Sequence, residues 1–167
     1  FLIEHNQLFG RIFYLFLSSL IPIVFYFILK IKYKISSLLL FIISNFLLLS
    51  PYYRSTSIWP GDETISLVFL CLSIFYYFKY QNTPKDNPSF IYLILNIFFL
   101  AICCYFRPIY CLFAIFFAYE FLKLNNTKVK FLYITTNLIL SLPAIYYIFY
   151  LYVIFFKNSV INFNLIN

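Results

Sequence analysis

The chain has 167 residues, 64% of them hydrophobic and 10% charged, with a mean hydropathy of +0.91. That leaves far too little polar surface to cover a water-soluble globule of this size and excludes a soluble enzyme or binding module. The formal net charge of +7 invites a nucleic-acid reading, but the basic residues flank apolar runs, and membrane topology accounts for them better.

Five or six apolar runs, each near the ~20 residues a helix needs to cross a bilayer, predict an all-α, polytopic transmembrane bundle of about six spans. Outer-membrane strands would be ~10 residues long and alternating. The chain starts at Phe1 and contains no Met, so we expect a fragment of a longer protein, an incomplete bundle. Residues 1–10 carry Glu4, His5, Asn6 and Gln7 and no basic leader; they read as the end of an extracytoplasmic loop rather than a signal peptide.

Residues 11–157 form the expected transmembrane region. Arg11 opens the first span, 12–29, which closes on Lys30, Lys32 and Lys34; Pro22 should kink it, because proline removes a backbone donor and crowds the preceding turn. The second span, 35–49, is stopped by Ser50-Pro51. There follows a polar stretch, Ser50 to Glu63, holding the only Trp (Trp59), one of two glycines, Arg54 and the adjacent carboxylates Asp62 and Glu63. Span three, 63–78, ends in Lys79, and residues 80–89 are a turn-rich loop. Spans four and five, 90–106 and 109–122, are separated only by Arg107-Pro108, so they either turn sharply or form one bent element. A basic loop with Lys123, Lys128 and Lys130 leads to a sixth span, 131–156, with Pro143 as a kink. Residues 158–167 read as an extracytoplasmic tail, itself truncated. No internal repeat or soluble domain is visible.

Alternate loops differ in basic charge. One side collects Lys30, Lys32, Lys34, Lys79, Lys85, Lys123, Lys128 and Lys130; the other has Arg11, Arg54, Arg107 and Lys157. By the positive-inside rule the lysine-rich side is cytoplasmic and the Ser50–Glu63 stretch is extracytoplasmic. All three arginines fall on the side expected to be poor in positive charge. Either they are interfacial anchors snorkelling to water, or they share an anion: guanidinium matches phosphate oxygens bidentately and stays charged.

Asp62 and Glu63 open a helix, where carboxylates favour the helix dipole; they can equally act as base, orient a sugar hydroxyl or bind a divalent cation. Glu4 and His5 read as ordinary loop or as part of an acid-base or metal site. Trp59, Tyr52 and Tyr53 form an interfacial aromatic belt or a platform under a sugar ring. Cys71, Cys103, Cys104 and Cys111 lack metal-ligand spacing and read as core fillers. Glu120 is expected near the cytoplasmic interface. The sequon at Asn125-Asn126-Thr127 falls on the cytoplasmic side, where glycosylation is not expected.

Three segments together resemble the GT-C superfamily of membrane glycosyltransferases: Arg11-Ile12-Phe13-Tyr14; Ser50 to Trp59 with Asp62-Glu63 at a helix start; and Tyr105-Phe106-Arg107-Pro108-Ile109-Tyr110. The middle segment resembles the acidic loop of the protein mannosyltransferase and aminoarabinose transferase branch, and the last is similar to that family's later basic turn. Order and spacing agree over roughly residues 8 to 120.

The resemblance implies inverting transfer of a sugar from a polyprenyl-phosphate donor to a lipid, glycan or protein acceptor on the extracytoplasmic face, in a cell-envelope context. By carry-over, Arg54 and Arg107 bind the donor phosphate, with Arg11 in support. Glu63 and Asp62 serve as catalytic carboxylates, with Mg or Mn as a conceivable cation, and Trp59, Tyr53 and His5 touch sugar or acceptor. No Asp precedes Asp62, so the family's principal acid is expected upstream of Phe1. A bacterial inner membrane is preferred, since no eukaryotic feature is evident. The competing expectations are a transporter or flippase of lipid-linked anions and a non-catalytic membrane assembly subunit.

Overall fold

The computed structural model describes the backbone of residues 2–58, 61–84, 89–124 and 126–163, and within these every side chain except those of residues 2–7, 52, 58, 148 and 151–163. Among the described residues all regular structure is helical. The helices are α1 (Leu2–Lys32), α2 (Ser37–Asn45), α3 (Pro51–Ile58), α4 (Asp62–Gln81), α5 (Phe90–Phe106), α6 (Cys111–Lys123) and α7 (Thr127–Phe163). Short 3-10 turns at Phe46–Leu49 and Pro108–Tyr110 extend α2 and lead into α6.

Among the described residues three stretches are long and apolar enough to cross a membrane: Leu8–Lys32, Asp62–Gln81 and Thr127–Tyr147. The other expected spans are shorter. α5 has 17 residues and α6 has 13, roughly 25 and 20 Å of helix against a hydrocarbon core of about 30 Å. Two Pro dipeptides set those lengths. Ser50-Pro51 ends the second apolar run, and Arg107-Pro108 cuts the fourth from the fifth.

Two expected boundaries move. Residues 2–10 belong to α1 rather than to a loop, and α7 runs past the expected end at Phe156 to Phe163. The stretch expected to be a loop after Ser50 instead contains α3. Proline suits the first position of a helix because its missing N–H has no helical partner there. Ser50, extended at ψ 122°, accepts the Tyr53 N–H on its Oγ at 3.4 Å, as an N-cap does.

Ring contacts fix how the helices run. Phe69 of α4 stacks on Phe106 of α5 at 6.3 Å, and farther along Tyr76 stacks on Tyr92 at 6.2 Å, so α4 and α5 are antiparallel. Between these contacts Asn96 and Ser73, both fully buried, clasp the two helices: Asn96 Nδ2 donates to the Ser73 carbonyl and Oγ, each at 2.9 Å, and Ser73 Oγ donates to the Asn96 carbonyl at 3.0 Å. Asn82, just past α4, donates to the Ile31 carbonyl at the C-terminal end of α1 at 3.3 Å, so α1 and α4 end together and run parallel. The starts of α1 and α4 and the α5–α6 turn, which carries Arg107, therefore lie at one end of the bundle. Lys30, Lys32, Lys79 and Lys123 lie at the other.

The main core joins α4, α5, α6 and α7 around Leu93, Ile97, Phe117, Phe121 and Val129. A smaller cluster, Ile21, Tyr53 and Val68, ties α1, α3 and α4. Large apolar side chains cover the outside, among them Phe9, Leu38, Ile115 and Phe131, each about 70% exposed. Exposed apolar surface on that scale calls for an apolar medium around it.

Proline also explains the longest-range contact of α3. Pro22 has no N–H to give the carbonyl four residues back, which belongs to Ser18. The Tyr53 hydroxyl donates to that carbonyl instead. Near the second helical proline, Tyr105 donates to the Leu140 carbonyl at 2.5 Å, three residues before Pro143.

Candidate functional site

The arginine-bearing end is assembled by three local features. Gly61, extended at φ −155°, precedes α4, so Asp62 and Glu63 occupy its first turn, where the free N–H groups favour negative charge. Arg107 precedes a proline and is driven to extended geometry, φ −140° and ψ 102°; α5 stops there. The turn is closed by backbone bonds from the Arg107 N–H to the Cys103 carbonyl at 3.0 Å and from the Tyr110 N–H to the Arg107 carbonyl at 3.1 Å. The two spans therefore turn sharply, the first of the two forms that the Arg107-Pro108 dipeptide allowed.

Antiparallel packing of α4 on α5 then brings this turn to the start of α4. Arg107 Nη2 lies 2.6 Å from Glu63 Oε1, an ion pair between residues 44 apart in sequence. The side chains are 44% and 32% exposed, so the pair is worth at most about 1 kcal/mol and exchanges readily for another partner. Tyr110 lies close enough to feel both charges.

Arg54 and Arg11 are exposed on α3 and α1. α3 is fastened to the start of α4 by the Thr64 hydroxyl, which donates to the Thr56 carbonyl at 2.9 Å. Among the described residues the Arg54 guanidinium makes no hydrogen bond or ion pair, while its backbone is held by Ser50 and Ser57. Asp62 is exposed, and its carbonyl accepts the Ser66 hydroxyl at 2.5 Å. The structure thus brings Arg107 onto Glu63, with Asp62 beside them in sequence and Arg54 and Arg11 on the neighbouring helices.

Tyr53 sits otherwise than expected of an open platform. It is buried, 8% exposed, between α1 and α4, and burial pushes its hydroxyl up to about 12. Its part is to fasten α3. Trp59 and the His5 side chain lie outside the described residues. Among the described residues no three His, Cys, Asp or Glu side chains gather as a cation site needs.

Sequence reasoning places Glu120 near the cytoplasmic interface and gives it no partner. It accepts a hydrogen bond from Tyr77, 43 residues away, at 3.1 Å. Sequence carries no signal of that pairing, which depends on α6 packing beside α4. The four cysteines are free; Cys103 is fully buried, as a core filler should be, whereas Cys111 is exposed. No family model matches this chain, and no match is found among curated proteins or solved structures.

Proposed function

We propose that the chain is the membrane part of a GT-C-type glycosyltransferase. It transfers a sugar from a polyprenyl-phosphate donor to a lipid, glycan or protein acceptor at the arginine-bearing, extracytoplasmic end. In this reading α2 with its 3-10 turn, α5 and α6 also cross, giving six passages. The short helices are accommodated by local thinning of the bilayer, at fractions of a kcal/mol per Å.

One observation supports the reading above all: Glu63 and Arg107, expected to serve as carboxylate and phosphate ligand, are bonded to each other. Because the pair is exposed and weak, a donor phosphate arriving with its tail in the bilayer competes for Arg107. Arg54 and Arg11 add charge from the adjacent helices. Glu63, no longer paired with Arg107, accepts the proton of the acceptor hydroxyl as that oxygen bonds to the anomeric carbon. The bond from that carbon to phosphate breaks, and the arginines stabilise the charge growing on the leaving polyprenyl phosphate.

A transporter or flippase needs polar groups along a mid-membrane path. Asn45 and Asn137 instead bond the Phe41 and Tyr133 carbonyls of their own helices, and Asn96 is held by Ser73. The test is sugar transfer from a polyprenyl-phosphate donor in membranes carrying the protein. Arg107→Ala is expected to lower turnover by about 10²–10³-fold, with membrane yield unchanged. Turnover equal to that of the parent protein removes the phosphate role.

A further inference from the structure

The lysine-rich end carries a second built feature. A cavity of about 600 Å³ opens between α4, α6 and the chain leading into α7, lined by Tyr77, Tyr80, Gln81, Glu120, Phe121 and Lys123 among others. Gln81 Nε2 donates to the Tyr77 hydroxyl at 2.5 Å, and that hydroxyl donates to Glu120 Oε2 at 3.1 Å. The chain of bonds holds the carboxylate in place and leaves its other oxygen, Oε1, without a hydrogen bond among the described residues.

Lys123 lies one helical turn beyond Glu120 on α6, within reach of a salt bridge. The two are not bridged; the Lys123 ammonium lies over the Tyr119 ring at 5.7 Å. Glu120 and Lys123 thus line one cavity together with Tyr80 and Phe121 without being paired to each other. The complementary ligand carries a positive group with N–H donors and a negative group, that is, a zwitterion.

Tyr77 also borders an apolar groove of about 500 Å³ between α4 and α6, lined by Ile74, Phe78, Leu112 and Phe116 among others. From Leu112 to Glu120 the groove and cavity follow roughly 12 Å of helix. Aromatic and aliphatic walls lead into a charged pocket at the end where the lysines mark the membrane surface.

We propose that this groove and cavity bind one phospholipid with an amine-bearing zwitterionic head group. Its acyl chain lies along Leu112 and Phe116, its ammonium sits on Glu120 Oε1 against Tyr80 and Phe121, and its phosphate faces Lys123. The site is at the opposite end of the bundle from Glu63 and Arg107 and does not depend on the transferase reading.

The test is thermal unfolding and native mass spectrometry of the detergent-purified protein with phosphatidylethanolamine, phosphatidylglycerol or free phosphoethanolamine added. Phosphatidylethanolamine is expected to stay bound and raise the unfolding midpoint, while the other two leave it unchanged. Glu120→Gln is expected to weaken that binding about tenfold or more, since a hydrogen bond to a charged group is lost. Should Glu120→Gln fold poorly, Lys123→Ala at an exposed position is expected to weaken it in the same direction. An equal shift from phosphatidylglycerol, a full shift from free phosphoethanolamine, or undiminished binding by both variants would overturn the proposal.

Discussion

Tyr53 donates its hydroxyl proton to the carbonyl of Ser18, the acceptor that Pro22 leaves without a helical donor. Pro22 in α1 and the position of α3 are therefore linked. The proline vacates a carbonyl inside an apolar helix, and a tyrosine from 35 residues away fills it. The arrangement places Arg54, the next residue, on the outside of α3.

Tyr53→Phe should destabilise the protein by about 1–3 kcal/mol, the cost of a buried carbonyl left without a donor. In a Pro22→Ala background residue 22 regains its N–H and the Ser18 carbonyl its helical partner, so the same change should cost little. Chemical unfolding of the four proteins in detergent measures the difference. Equal losses in the two backgrounds would show that Tyr53 acts only through its bulk.

The same residue sets an alkaline limit. Burial raises the Tyr53 hydroxyl from 10.0 to about 12. A folded-state value above the unfolded one contributes stability that is complete below pH 10 and is lost as the pH rises through about 12. The unfolding midpoint of the parent should fall more steeply than that of Tyr53→Phe across this window. Parallel curves would refute it.

Glu63 and Arg107 should contribute little to stability. A double-mutant cycle with Glu63→Gln and Arg107→Gln is expected to give a coupling of at most about 1 kcal/mol, fading at about 1 M salt where the screening length is short. A coupling that survives high salt would mean the pair is structural, and a donor phosphate could not readily replace the carboxylate.

Asn96 and Ser73 are not equivalent partners. Asn96→Ala removes every bond of the clasp in which the side chain of Asn96 takes part, and its expected cost is about 0.6–1.7 kcal/mol for polar contacts between helices in a membrane. Ser73→Ala should cost less, because Asn96 Nδ2 keeps the Ser73 carbonyl as acceptor. Unfolding measurements that rank the two in the opposite order would place the main contact on the serine hydroxyl.

By itself the sequence determined the features that local chemistry dictates. Hydropathy marked the apolar runs, Asp62-Glu63 marked a helix start, and Arg107-Pro108 marked a sharp turn or a bend. The partition of lysine from arginine along the chain indicated which ends share a side. These depend on residues near one another in the chain, where steric limits at proline and the transfer cost of charge act directly.

Only the tertiary structure decided which of those features touch. Ser50-Pro51 reads equally as a stop and as a start, and α3 exists as a docked helix because Tyr53 finds the carbonyl vacated by Pro22. The Glu63–Arg107 and Tyr77–Glu120 contacts join residues 44 and 43 apart. They arise from α5 running antiparallel to α4 and α6 packing back beside it, and such contacts between distant residues leave no trace in local pattern.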